Sequence, residues 1–472
     1  MYDHTKQFRC ELIRGKSQRE IDNMLPTYAN IINEVCPCKA SEFPRRFDEK
    51  LKEYLPHLHS KTLANHRTET AGKLFGMYFE KNDIIYISER TSKFLEDHDQ
   101  PAFFKDFCFK MQFPNGMSKI QTIQEHIDHN INIRPYSFIL KVMLLAEEAH
   151  LPLTKKDIGY YILNALDVLQ GKGNAIPDEV IAQIAKDKAA SMERKIKTPG
   201  KGASYDYQHI NEQLNYLELA NLIIIENDYT VHLNNNEKIA IEFIAKHYNA
   251  KPMFDVYSFD LSTKTGRQKF EIQWGIEFAH VGDRDNIFKT STIALGIPAP
   301  TDEETVLDTE GLDKTQIGEE GERYVYNYEK KRVKEFNKRL ISKVVYLGKI
   351  QGLGYDIQSV VALPLVQNPE FAKYIEVKTT KRVTAPDLND VNWEDTVYIT
   401  KNEMDAACQH REYYSIYRVY FCRKGVVVYI IDNVYDKKEN SVIRVTPTTF
   451  RIDFSSNAVS ETIPAANGAK NV

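Results

Sequence analysis

Gly354-Tyr355-Asp356-Ile357, followed after a break by Tyr374-Ile375-Glu376-Val377-Lys378, is the stretch on which the reading of this chain turns. Both pieces read as strands, and side chains on a strand return to the same face at every second residue. Glu376 and Lys378 then share one face, while Ile375 and Val377 turn to the core. If the Asp356 strand lies alongside, two carboxylates and one ammonium converge. Metal-assisted hydrolysis of a phosphodiester needs such a set. Carboxylates hold Mg²⁺, a hard cation that prefers oxygen and keeps several waters. The lysine then orients the attacking water or neutralises developing charge.

The rest of the chain sets what this motif belongs to. At 472 residues it is too long for one ordinary domain. Its 42% apolar and 11% aromatic content is ordinary for a globular protein. There is no run of about 18 apolar residues and no apolar signal core at Met1-Tyr2-Asp3-His4. A cytoplasmic location without membrane association is the expectation. The six cysteines (Cys10, Cys36, Cys38, Cys108, Cys408, Cys422) are scattered, and Cys36-Pro37-Cys38 lacks a second ligand pair at zinc-finger spacing. Reduced thiols are expected. No Gly-x-x-x-x-Gly-Lys-Ser/Thr loop is present, so no nucleotide cofactor is expected.

The net charge of −4 hides segregation. Basic runs occupy 186–201 (Lys186, Lys188, Arg194, Lys195, Lys197, Lys201) and 330–343, whereas 302–320 is acidic. A basic run is usually a solvated helix face. Two of them, one beside the carboxylate motif, favour phosphate contact. Leu295-Gly296-Ile297-Pro298-Ala299-Pro300 breaks regular structure ahead of the acidic stretch, which marks a linker over 296–317. A second domain is expected over 318–454, and the small, polar residues 455–472 read as a frayed tail.

Two segments upstream share a plan. Helical material from Phe47 to about residue 75 leads into Met77-Tyr78-Phe79, Asn82-Asp83 and Ile84-Ile85-Tyr86-Ile87, a hairpin signal. Ser88 offers the next helix cap. In the second segment an apolar helix spans 136–145, and Thr154 caps a helix with Asp157 in capping-box position. A basic helix follows at about 177–197, then a helix over 206–219, then Leu222 to Ile225 and Tyr229 to Leu233 around Glu226-Asn227-Asp228. Helices feeding a hairpin form the winged-helix pattern, which gives recognition subdomains over 1–130 and 131–295. The helix before each hairpin would approach the major groove of double-stranded DNA. DNA-contact candidates are Asn65, His66, Arg67 and Lys73 in the first unit. In the second they are Lys155, Lys156, Lys195, Lys197, Lys201, Tyr205, Tyr207, Gln208, His209, Asn211 and Gln213. The region 250–295 gives no clear pattern.

In the C-terminal part, Glu319-Glu320-Gly321-Glu322 opens a helix running to about Ile341. Strands at 344–347, Asp356, Glu376/Lys378 and Val397-Tyr398-Ile399 follow. Thr400 then caps a helix, and strands at 414–421 and 426–431 close an α/β domain with a mixed sheet. Glu320 and Glu329 are alternatives to Glu322 as the helix carboxylate, and Gln358 and Thr380 lie close to the motif. Tyr413, Tyr414, Tyr417 and Tyr420 are either strand-face aromatics or stacking platforms for DNA.

Glu322 on the opening helix, Asp356 on a strand and Glu376-Val377-Lys378 on the next resemble the PD-(D/E)XK nuclease superfamily, in a layout similar to archaeal Holliday-junction resolvases. Gly318 to Glu322, Gly354 to Ile357 and Tyr374 to Thr380 also resemble a NO VEIN-type nuclease-like domain, over about 318–432. Where the superfamily motif opens with Pro-Asp, this chain has Tyr355-Asp356. The full layout resembles BpuJI-type type IIS restriction endonucleases. The resemblance implies a multidomain chain, with a mostly helical winged-helix (α+β) N-terminal region before an α/β PD-(D/E)XK domain with a mixed central sheet. It implies Mg²⁺-dependent cleavage of double-stranded DNA, two nuclease domains pairing to cut both strands. Asp356, Glu376 and Glu322 would serve as metal ligands and Lys378 as the catalytic lysine. Two other readings are a DNA-binding regulator whose nuclease-like domain only dimerises, and an endonuclease dependent on base modification.

Overall fold

A computed structural model of the chain describes residues 6–12, 17–172, 175–196, 203–282, 287–297, 316–350, 352–364, 367–390 and 393–447. Most of the expected linker, the expected tail, Lys197 and Lys201 lie outside the described residues.

The N-terminal region contains two units of one plan. The first comprises α1 (Gln18–Val35), β1 (Cys38–Lys39), α2 (Phe43–Tyr54) and α3 (Ser60–Asn65), the last continuing as a wider π-helical stretch to Leu74. β2 (Tyr78–Lys81) and β3 (Ile84–Ile87) form its hairpin. Ser17 and Glu20 close a capping box at the start of α1. Asn82 and Asp83, at φ 53° and 61°, make the hairpin turn. Asx residues tolerate this left-handed conformation, and its twist matches the flanking strands. α4 (Glu89–Asp97), α5 (Gln100–Lys110) and α6 (Ile120–Asp128) connect to the second unit.

That unit comprises α7 (Pro135–Glu148), β4 (Leu153–Thr154), α8 (Lys155–Ile158), α9 (Leu166–Leu169), α10 (Pro177–Ala189) and α11 (Ala203–Leu219). β5 (Ile223–Ile225) and β6 (Thr230–Leu233) form its hairpin. In each unit the strand between the helices joins the hairpin, giving the orders β1-β3-β2 and β4-β6-β5. The capping box of Thr154 and Asp157 is present. α10 stops at Ala189, short of the expected 197, because Ser191 turns left-handed and Arg194 folds back onto Asp187 at 2.7 Å.

α12 (Lys238–Ala245) and α13 (Lys264–Ala279) complete this region. α13 lies in the segment that the sequence left unassigned. Its Phe270, Trp274 and Phe278 recur at helical spacing and are buried. Phe278 meets Phe107 in the aromatic core with Phe75, Phe104 and Tyr216.

The C-terminal region comprises α14 (Gln316–Phe336), β7 (Val345–Tyr346), β8 (Ile357–Val360), β9 (Ala372–Lys381), α15 (Lys401–His410), β10 (Tyr414–Cys422), β11 (Gly425–Asp432) and α16 (Val434–Glu439). One mixed sheet runs β11-β10-β9-β8-β7. β9 and β10 are parallel and are joined through α15, whereas the other neighbours are antiparallel. Val325 and Val333 of α14 pack on one face with Ile375, Val377 and Val419. Ala406 and Ala407 of α15 cover the other with Tyr414 and Ile416. Two expectations fail here. α14 ends at Phe336, where Asn337 leaves the helix and caps a 3₁₀ segment over Lys338–Lys343. Val397-Tyr398-Ile399 is not a strand: Tyr398 is exposed and Ile399 packs beside α15 without joining the ladder.

The end of β9 meets the N-terminal region. Lys381 N–H and Thr380 Oγ1 both donate to the His98 carbonyl at 3.0 Å, and Arg382 reaches Asn23 Oδ1 at 2.9 Å. Arg423, between β10 and β11, donates to Asn221 Oδ1 at 2.9 Å.

Candidate active site

Gly354 sits at φ 77°, and a Cβ there would lie 2.3 Å from the Asn402 carbonyl, so the chain passes hard against the first turn of α15. Asp356 follows immediately before β8. Its N–H donates to the Ile375 carbonyl at 2.9 Å and its carbonyl accepts from Leu347 N–H at 2.7 Å, so its backbone is held on both sides. Its carboxylate accepts the Val377 N–H at 2.8 Å. On β9 the alternation places Ile375 and Val377 in the core and leaves Glu376 and Lys378 on the other face. Lys378 Nζ lies 2.7 Å from Glu376 Oε1 and 3.1 Å from Glu403 Oε2.

Glu322 approaches from α14. Gly321 lets that helix close on β9, since a Cβ there would fall 1.9 Å from Thr379 Oγ1. Tyr346 OH donates to Glu322 Oε2 at 2.6 Å, and a Cβ on Gly348 would lie 2.3 Å from the same oxygen. The two alternatives are engaged elsewhere. Glu329 is fully buried and accepts from Ser359, Tyr417 and Arg332, while Glu320 pairs with Lys381 at 2.7 Å.

Electrostatically the site is short of positive charge. Burial, then the neighbouring Asp356, pushes Glu376 up to about 9. The same two causes push Glu322 up to about 7. Burial also raises Asp356, against the Val377 N–H and Lys378. Lys378 is raised: burial opposes its charge, and Glu376 and Glu403 more than offset that. Hard oxygen donors crowded with too little countercharge fit a divalent cation such as Mg²⁺. Among the described residues no three His, Cys, Asp or Glu side chains are gathered as a metal cage. Mg²⁺ needs one or two carboxylates and retains water, so Asp356 and Glu376 suffice as a donor pair.

Sequence reasoning did not single out Glu403 or Tyr346. Thr400 caps α15 as expected, and the structure adds that Glu403 closes a capping box with it while reaching Lys378. Thr380 is taken up by the His98 carbonyl. Tyr414 OH donates to the Gly354 carbonyl and Tyr420 OH to Asp395, so both tyrosines brace the fold.

The DNA-contact candidates are dispersed. Gln208, Asn211 and Lys195 are exposed, and Tyr207 is half-buried. His209 is only 3% exposed, Gln213 is buried against the Cys10 carbonyl, and His66 is buried against Tyr28. Arg67 is paired with Asp48, Lys73 with Glu69 and Lys156 with Glu193. Lys155 lies over the exposed Tyr229 ring at 5.7 Å. Among the described residues no helix is long and apolar enough to cross a membrane.

Residues 321–431 match the family described as Protein NO VEIN, C-terminal, and residues 2–275 match Restriction endonuclease BpuJI, N terminal. No curated protein matches the chain. A crystal structure of the BpuJ1 endonuclease binding domain, in complex with pyrene- and phenanthrene-modified DNA, is 47% identical with a TM-score of 0.57. The match covers 59% of this chain and 100% of that one. On the strength of the N-terminal match, which spans more than half its length, the chain belongs to the BpuJI restriction endonuclease family.

Proposed function

We propose that the chain is a sequence-specific, Mg²⁺-dependent type II restriction endonuclease, of type IIS, acting on double-stranded DNA. In this reading residues 1–295 recognise the site and residues 318–454 form a PD-(D/E)XK nuclease domain that pairs with a second copy to cut both strands. The observation that carries it is the Glu376–Lys378 pair on one face of β9 with the Asp356 carboxylate held beside it on the Val377 N–H, downstream of a region homologous to a DNA-binding domain crystallised with DNA.

Each N-terminal unit is read as a winged helix, because helix, strand, helices and hairpin follow in that order with the first strand added to the hairpin. In the second unit α11 would enter the major groove, with Gln208 and Asn211 on its exposed face. Lys73, Lys155, Lys156, Lys195, Lys197 and Lys201 are assigned to the DNA backbone. A lysine that pairs with a surface glutamate exchanges it for phosphate at little cost.

Asp356 and Glu376 would hold Mg²⁺, with Glu322 supporting its waters. When bound, the ion polarises the scissile phosphodiester and acidifies the attacking water. The Val377 N–H fixes the Asp356 carboxylate, and Tyr346 OH fixes that of Glu322. Lys378, half-buried and with its charge favoured by Glu376 and Glu403, either orients the incoming water or offsets charge on the phosphate as the P–O bond to the leaving sugar breaks.

The test is digestion of plasmid and defined linear DNA with Mg²⁺, followed by sequencing of the product ends. Wild type should yield cuts at a constant offset from one sequence. Asp356→Asn and Lys378→Met should stop cleavage while gel-shift affinity for the same DNA persists. Undiminished cleavage by both variants would sink the site assignment. Binding without any cut, on methylated and unmethylated DNA alike, would leave the regulator reading.

A further inference from the structure

Lys378 is shared by two carboxylates, and only one of them belongs to its own strand. Glu376 Oε1 lies 2.7 Å from Nζ, and Glu403 Oε2, from the first turn of α15, lies 3.1 Å from it. An ammonium on Glu376 competes with a divalent ion for that carboxylate, both by occupying an oxygen and by repulsion at short range. Glu403 is built differently. It occupies the third position of α15, where its Oε2 also accepts the Thr400 N–H at 2.9 Å. The helix N-terminus stabilises its negative charge, and the side chain is only 12% exposed, so it is held in place. The close passage of Gly354 against Asn402 fixes this turn of α15 beside Asp356.

We propose that Glu403 is a positioning residue for Lys378: it retains the ammonium when Glu376 turns to a divalent cation, so that lysine and metal coexist on one strand. The proposal rests on the metal-dependent reading above and extends it, since that reading gives Glu403 no part. Partners of a ligand carboxylate typically alter metal affinity by about 10–100-fold. Here the effect is transmitted through the lysine, so it should exist only while the lysine is present.

The experiment is calorimetric titration of the full-length, DNA-free protein with Mn²⁺, as wild type, Glu403→Gln, Lys378→Met and the double variant. Glutamine at the third helical position preserves the capping box, which separates charge from helix stability. Glu403→Gln should weaken Mn²⁺ binding about ten-fold and leave the melting temperature unchanged. In the Lys378→Met background the same substitution should change nothing, a non-additivity that plain loss of negative charge does not give. Cleavage by Glu403→Gln should show a lowered kcat with DNA affinity retained. Equal penalties in both backgrounds, or no penalty in either, overturn the proposal. A wild-type protein that binds no Mn²⁺ overturns the metal-dependent reading itself, an outcome separate from the other two.

Discussion

Arg90 in the N-terminal core and Glu376 in the C-terminal sheet are both buried ionisable groups, treated in opposite ways. Arg90 is 1% exposed and uses its whole guanidinium, on Asp106 Oδ2 at 2.5 Å, the Phe75 carbonyl at 2.8 Å and the Phe278 carbonyl at 3.2 Å. Lys105 is similarly closed between Glu237 at 2.7 Å and Thr290 at 2.8 Å. Glu376 shares one ammonium with Glu403, while Asp356 and Glu322 stand close by with no ion-pair partner among the described residues. A closed, balanced set ties distant segments together. In the second set burial and crowding raise the carboxyl pKa values without a matching number of cations, the pattern expected of a site and not of scaffold.

This comparison can be broken at several points. The largest effect expected is on catalysis: Asp356→Asn should lower the cleavage rate by at least about 10²–10³-fold, read from the initial rate of plasmid linearisation, with the fold intact by circular dichroism. On stability the order reverses. Arg90→Ala leaves Asp106 buried without its partner and should cost about 3–5 kcal/mol in denaturant unfolding. Glu376→Gln removes a buried repulsion and should raise the melting temperature of the metal-free protein, as sites tuned for activity commonly do. If Glu376→Gln is as damaging as Arg90→Ala, the contrast between scaffold and site is wrong.

His126 sharpens the scaffold side. It is 1% exposed, edge-on to Phe8 and Phe113 at 5.8 and 5.6 Å, and burial lowers its pKa from 6.5 to about 4. Because the folded state disfavours the imidazolium, the stability from this group is complete above 6.5 and is lost as pH falls toward about 4. The loss should reach about 3 kcal/mol. His126→Phe should flatten that part of the stability curve, and an unchanged acid slope would contradict its burial as a neutral ring. The smallest effect is local: Asn82→Ala, at φ 53°, should cost about 1 kcal/mol, with Asn82→Gly nearly neutral in thermal unfolding.

Much of this was legible in the chain because the determinants are close together. Asn82-Asp83 between two apolar runs specifies its hairpin, Thr154 with Asp157 specifies a cap, and alternation along Tyr374 to Lys378 specifies which side chains face the site. Each of these is settled within about six residues of backbone geometry. The failures also have local causes. Val397 to Ile399 has strand composition, but a strand needs a partner, and β9 and β10 already pair with each other. The helix α13 was missed because its apolar residues are few, although Phe270, Trp274 and Phe278 keep the helical period.

The sequence by itself therefore placed an acid on one strand, which the structure sets immediately before β8, and an acid and a lysine on a common face of the next. The sequence favoured Glu322 over Glu320 and Glu329, and only the tertiary structure separates their surroundings: with α14 docked by Gly321 against Thr379, Glu322 meets Tyr346, whereas Glu320 pairs with Lys381 and Glu329 with Arg332. Only the tertiary structure brought Glu403, 25 positions beyond Lys378, back to its ammonium. Periodicity along one element is a property of bond geometry, whereas the meeting of two elements depends on what packs between them, and no local pattern records that.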